Sequence, residues 1–117
     1  MNPYRGEVAV ELAGRPVTLR ATFEALARIE GETGAGAFAL ARRLEALLKG
    51  EAGEVRASEV AAVLAAGIGA AEGRQPAKEE IGELIAEARL IHAASAAYAL
   101  LVRALVGRKG GEAGPSP

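Results

Sequence analysis

The chain has 117 residues, with 14 basic and 15 acidic side chains, a net charge of −1, 50% hydrophobic residues and 3% aromatic residues. This length fits one domain with a modest core, and the near-neutral charge excludes an electrostatic nucleic-acid binder, which needs a basic excess. The absence of cysteine excludes disulfides and thiolate metal sites. No apolar run reaches the roughly 18 residues of a membrane span, and no basic-then-apolar leader opens the chain. We therefore expect a cytoplasmic protein without a membrane partner.

Two short segments with alternating apolar residues predict a β-hairpin over residues 7–21. The apolar positions are Val8, Val10, Leu12, Val17, Leu19 and Ala21. We expect Gly14 and Arg15 to form a two-residue loop, in which Gly14 supplies the positive φ of a type II′ turn. That register pairs Leu12 with Val17 and places all six apolar side chains on one face of the hairpin.

Helical periodicity and capping signals predict four helices after the hairpin. Their expected bounds are 22–33, 37–49, 58–72 and 77–106. Thr22 and Ser58 are the expected N-caps of the first and third helices. Gly67 inside the third helix favours the close approach of another helix. The expected fold class is α+β, mostly α: an N-terminal β-hairpin packed on a bundle of about four helices. Residues 1–107 form one domain, and residues 108–117 are expected to be a disordered tail.

The last predicted helix carries two apolar stripes. The main stripe comprises Ile81, Leu84, Ile85, Ala88, Ile91, His92, Ser95, Ala99, Val102 and Val106. The second stripe comprises Leu90, Ala94, Ala97, Leu101 and Leu105. A helix that is apolar nearly all round is either central to its fold or holds a surface for another chain. The pattern leaves open which of the two applies, and whether the helix is continuous or broken near His92.

The sequence contains no set of residues typical of catalysis, metal binding or cofactor binding. His92 is the only histidine, and its apolar helical neighbours are typical of a structural histidine rather than a metal ligand. The G-x-G-x-x-A pattern over residues 34–39 follows a helix instead of a strand, so its glycines indicate a helix break rather than a dinucleotide site. We therefore expect no enzyme, no cofactor and no metal.

Several short segments carry a family resemblance, which covers roughly the first 70 residues. They are Asn2–Pro3, Arg5–Gly6–Glu7, the strand alternation that ends at Leu19, Thr22–Phe23, Ala25–Leu26, Ile29–Glu30, Ser58–Glu59–Val60 and Val63–Leu64–Ala65–Ala66–Gly67. With these segments the chain resembles the small tail assembly proteins of alphaproteobacterial gene transfer agents and related siphophage-like prophages.

The resemblance implies a tail assembly chaperone that holds the tape-measure protein soluble and promotes assembly of the tail tube around it. The implied partners are the tape-measure protein and the major tail tube protein, and a homo-oligomer is also compatible. Because a tape measure is long and largely helical, a spare apolar helix face would suit it. The first candidate for partner binding is the second stripe, and the free edge of the hairpin is another candidate.

Two other functions stay open at this stage. One is a structural tail component, such as a joining or terminator ring that remains in the particle. The other is a small helical adaptor protein unrelated to phage. A further alternative is that neither candidate surface binds a partner, because both are buried in the monomer or in a homo-oligomer.

Overall fold

The computed structural model describes residues 6–51 and 53–106. Within these residues, two strands are followed by five helices. They are β1 (Glu7–Leu12), β2 (Arg15–Arg20), α1 (Phe23–Thr33), α2 (Ala37–Leu48), α3 (Ala57–Glu72), α4 (Lys78–Ala88) and α5 (Leu90–Val106). The expected hairpin and mostly helical class are confirmed, but the expected number of helices is wrong by one, because residues 77–106 form two helices. The expected tail at 108–117 lies outside the described residues.

The two strands pair in a register that differs from the predicted one. Leu12 lies opposite Arg15, so the loop is Ala13–Gly14 instead of Gly14–Arg15. Both loop residues have positive φ, 55° and 75°, as a type I′ turn requires. The predicted pairing of Leu12 with Val17 is therefore wrong by two positions. Because side chains alternate between faces with a period of two, the shift leaves the apolar face of the hairpin unchanged.

The core lies between the apolar face of the hairpin and the helices, with α3 and α5 at its centre. Its largest fully buried aliphatic side chains are Leu12, Leu19, Ile29, Leu40, Leu44, Val60, Val63, Leu64, Leu100 and Leu101. Much of the remaining core is alanine, most of all in α5, where Ala93, Ala94 and Ala97 are fully buried. Small side chains let the backbones approach closely, so the packing of α5 depends on short distances rather than on bulky residues.

Gly67 lies where α3 closely approaches α5 and β2. A Cβ atom at this position would lie 2.7 Å from Leu100 Cδ2 and 3.2 Å from Leu19 Cβ. Both distances are shorter than ordinary van der Waals contacts, so α5 and β2 rest directly against the backbone of α3. The close helix approach expected at this glycine is confirmed.

The first helix begins as predicted and the third does not. The Ala25 backbone N–H donates to Thr22 Oγ1 at 3.0 Å, which confirms Thr22 as an N-cap. Ser58 was predicted to cap α3, but the cap residue is Arg56. The Arg56 backbone N–H donates to Glu59 Oε1 at 2.8 Å, so a carboxylate from the first turn takes the place of the expected hydroxyl.

Glu59 is the one buried charged side chain among the described residues, with 2% of its surface exposed. Its carboxylate accepts two hydrogen bonds from the Arg43 guanidinium, at 3.1 and 2.9 Å, and one from Arg56 Nη2 at 3.3 Å. Arg43 also donates to the Glu54 carbonyl at 2.8 Å. The hydrogen bonds from Arg43 are the main cause that lowers the pKa of Glu59 to about 2. This network joins α2, the following loop and the start of α3.

The bend between α4 and α5 is the largest departure from the predicted helices. The two helix axes differ by 114°, and Arg89 between them has φ 77° and ψ 142°. The residues around Arg89 are strong helix formers, so packing of α5 into the core overrides local propensity here. Within the described residues no single helix is long and apolar enough to cross a membrane, although α4 and α5 together meet that criterion by length and composition.

We expect the Glu59 network to make stability depend on pH. The pKa of Glu59 falls from 4.5 to about 2 on folding, so its contribution is complete above pH 4.5 and is lost as pH falls towards 2. Glu59→Gln should lower the free energy of unfolding by about 3 kcal/mol at pH 7, and this difference should shrink between pH 4.5 and 2. Urea titrations at several pH values measure it. Glu79→Gln, at an exposed carboxylate, should change stability by less than about 0.5 kcal/mol. Equal destabilisation by Glu79→Gln and Glu59→Gln would contradict the stabilising role of the Glu59 network.

A second prediction concerns glycine at two helical positions. Gly67→Ala should destabilise the protein by about 1–3 kcal/mol, because the new methyl group overpacks Leu100 and Leu19. Gly82→Ala in α4 should instead stabilise it by up to about 1 kcal/mol, since nothing lies within 4 Å of the added Cβ. Chemical denaturation of both variants gives the comparison, and stabilisation by Gly67→Ala would show that α5 does not rest on α3.

Candidate partner-binding site

The second stripe, which was predicted to bind a partner, turns towards the core. Ala94, Ala97 and Leu101 are fully buried, and Leu105 is half-buried against the core. Leu90 alone of the five is exposed. The apolar helix face that the sequence identified is therefore mostly buried within the monomer. Partner binding by these five residues stays a prediction, and three of them become available only if the core opens.

The opposite side of α5 is apolar and faces outwards. Ile91, Ser95, Tyr98, Val102 and Val106 follow one another at intervals of three or four residues and share one helix face; we call these five residues the outer stripe. Ile91 is 47% exposed and Val106 is 63% exposed. Ser95 is exposed as well, whereas Tyr98 and Val102 are half-buried. The outer stripe is therefore exposed at Ile91, Ser95 and Val106 and partly covered at Val102 and at Tyr98, which packs against the core.

The outer stripe also lacks charge. Arg103 is the only charged residue between Leu90 and Val106, and it lies beside the outer stripe. Over this helix, about 24 Å long, the solvent side of α5 therefore offers apolar atoms, hydroxyl groups and the imidazole of His92. Exposed helix faces normally carry charged side chains, so the outer stripe has the composition of a contact surface.

A signal for the outer stripe was present in the sequence. His92, Ser95 and Tyr98 all place a polar group on or next to this side of α5, whereas the second stripe carries none. Buried polar groups are unfavourable without hydrogen-bond partners, so the purely apolar side was the better choice for the core. His92, which the sequence placed among apolar helical neighbours, has an exposed side chain.

Both phenylalanines of the chain lie on the surface. Phe23 is 84% exposed and Phe38 is 65% exposed, although phenylalanine normally contributes a large buried area. Phe23 is the first residue of α1 and Phe38 the second residue of α2, so they lie at opposite ends of α1, which is about 15 Å long. Exposed aromatic side chains are typical anchors of protein interfaces. They form two further candidate contact points.

The hairpin edge, the other predicted surface, borders a groove. Residues 15–18 of β2 form one wall, and Ile68 of α3 and Leu84 of α4 lie on the other, around a volume of about 630 Å³. Pro16 has no N–H to offer on this edge, which weakens it as a template for another strand. The outer stripe is therefore the stronger candidate.

The most perturbed carboxylate of the described residues has a structural role. Both oxygens of Glu59 accept hydrogen bonds from arginines, and its burial leaves no access for a substrate. In the described part of the chain, no group of three or more histidine, cysteine or acidic side chains is placed to hold a metal ion.

Comparison with known proteins identifies the family. The family model described as phage tail tube protein, GTA-gp10, matches residues 5–107. No curated protein matches the chain, and no solved structure does. The match extends over the hairpin, both exposed phenylalanines and the outer stripe. It confirms the predicted relationship to tail proteins of phages and gene transfer agents. The family description does not name a chaperone role. The chain belongs to the family of phage tail tube proteins of the GTA-gp10 type.

Proposed function

We propose that this protein is a non-enzymatic assembly chaperone of a phage-like tail. It binds the tape-measure protein in the host cytoplasm and promotes growth of the tail tube around it. The outer stripe of α5 carries the proposal, because a member of a tail protein family presents an uncharged, apolar helix face to solvent. A helix of the tape measure with its own apolar stripe can pack along this face.

The size of the outer stripe suits transient binding. One helix laid along about 24 Å of α5 covers an area well below the roughly 1,200 Å² at the lower end of stable interfaces. Weak contacts of this kind suit a chaperone, which must dissociate when the tube closes around the tape measure. Many copies bound along one long tape measure would together cover its apolar stripes and prevent aggregation.

A structural role in the tail is the second candidate. The family description, phage tail tube protein, favours a subunit that stays in the tube or in a ring. The exposed Phe23 and Phe38 are consistent with it, because they lie at opposite ends of α1 and on different helices from the outer stripe. A ring subunit needs two different contact surfaces, one for each neighbour.

Two measurements separate these candidates. The chain is co-expressed with the tape-measure protein of the same tail gene cluster, and co-elution in size-exclusion chromatography tests binding. Mass spectrometry of purified mature particles then tests retention. The chaperone proposal expects co-elution and absence from particles. Stoichiometric amounts in mature particles would establish the structural role instead, and failure to co-elute would remove the tape measure as the partner.

Two adjacent residues of α5, the fully buried Leu101 and the half-buried Val102, provide a sharp variant test. Val102→Lys adds a charge to the outer stripe and should abolish co-elution with the tape measure, while far-UV circular dichroism stays unchanged. Leu101→Lys buries the same charge in the core and should unfold the protein, because an unpaired buried charge is strongly destabilising.

Ala86→Lys is the matched control for surface charge. Ala86 is exposed on α4, outside the outer stripe, so this variant should remain folded and bind the tape measure as the wild type does. If Val102→Lys retained binding, or if Ala86→Lys lost it equally, the outer stripe would not be the contact surface.

A further inference from the structure

One strained residue joins α4 to α5. Arg89 has φ 77° and ψ 142°, a backbone region that glycine enters readily and other residues rarely adopt. Ala88 and Leu90 on either side are strong helix formers. Residues 83–106 contain neither glycine nor proline. The bend therefore opposes the local preference of the chain for one continuous helix.

The apolar pattern of the two helices is in phase across this bend. Ile81, Leu84 and Ala88 are the buried residues of α4. The outer stripe of α5 continues their spacing, so that the intervals from position 81 to position 102 alternate between three and four residues without interruption. In a continuous helix these seven positions form one seam, with the spacing of a coiled coil over three heptads. The bend directs the α4 half of this seam inwards and leaves the α5 half outside.

The attachment of α4 to the rest of the molecule is limited. Grooves of about 630 and 460 Å³ lie next to it, and Ile81 lines both. Exposed ion pairs connect its surface to Arg15 through Glu87 and to Arg74 through Glu80, each at 3.7 Å. Exposed pairs of this kind contribute little to stability. Three buried apolar side chains, together with the half-buried Ile85, thus provide most of the attachment.

The connection to α3 limits how far α4 can swing outwards. Straightening by 114° moves the start of α4, a helix about 16 Å long, by about 28 Å. Five residues, 73–77, join it to α3, and they reach at most about 20 Å from the end of α3 in any direction. The straightened form therefore requires the start of α4 to come to rest within this reach of the end of α3. The core side of α5 keeps its place throughout.

We propose that α4 and α5 straighten into one helix and that two copies of the chain pair through the resulting seam. A second copy is the occupant because the seam is self-complementary: an alternating three–four seam packs against another seam of the same spacing. Pairing of the two seams buries Ile81 and Leu84 again and covers the exposed Ile91. Straightening relieves the backbone strain at Arg89. A net charge of −1 gives little repulsion between copies. The dimer is a storage form that protects the outer stripe while no other partner is present.

The test uses the full-length chain and needs no other ligand. Because the protein has no cysteine, spin labels can be placed at Glu79→Cys and Val106→Cys only. Labelled chains are mixed with excess unlabelled protein, so that distances within one chain are measured across a concentration series, alongside the molecular mass from light scattering. The bent chain gives about 24 Å and the straight chain about 40 Å. A dimer with the longer distance supports the proposal. A monomer at every concentration, or a dimer with the shorter distance, overturns it.

Substitution at the bend adds a quantitative test. Arg89→Gly removes the strain of the bent monomer and weakens a continuous helix, whereas Arg89→Ala favours the helix and keeps the strain. Their helix propensities, counted for two chains, predict an association constant about 30-fold lower for Arg89→Gly than for Arg89→Ala. Equal constants would overturn the proposal. Val102→Lys, within the seam, should abolish the dimer. A dimer of this variant that keeps the longer spin-label distance would show that the two copies exchange α5 instead of pairing through the seam. These results do not depend on whether the tape measure binds.

Discussion

The close packing of α5 against α3 and the hairpin is the constraint on which the other features of this protein depend. Gly67 lets Leu100 and Leu19 reach the α3 backbone, and fully buried alanines on α5 keep that helix close to its neighbours. Small residues at positions 93, 94 and 97 on the inner side of α5 permit this close approach. The polar side chains of His92, Ser95 and Tyr98 lie on or next to the outer side. The position of the candidate binding surface is therefore a result of how the core is packed.

Local patterns in the sequence predicted the local structure well. The alternation of Val8, Val10 and Leu12 identified the hairpin and its apolar face, and Thr22 was correctly recognised as a cap. The register was wrong because Ala13, a residue with no intrinsic preference for positive φ, shares the turn with Gly14. Turn type depends here on how the strands pack, which the two loop residues alone do not reveal.

The features that the sequence did not predict all depend on tertiary contacts. Helix propensity favours continuity through Arg89, and only the packing of α5 makes the chain turn there. The inner and outer sides of α5 are both rich in apolar residues, so periodicity found the helix without showing its orientation. Glu59 was not identified as a buried ion-pair residue because its partner Arg43 lies sixteen positions earlier, on another helix. Distant pairs of this kind leave no signal in local spacing.

The central place of α5 also affects how the chain matures during synthesis. The ribosome releases the hairpin and α1 to α4 before α5, yet Leu12, Leu19 and Leu64 belong to the same core cluster as Leu100 and Leu101 of α5. Until α5 emerges, the earlier elements have apolar faces without a complete core to cover them, and such partly folded chains are prone to aggregation. Folding of this protein is therefore coupled to translation of its last described helix, and truncation before residue 90 would release a chain that cannot complete its core.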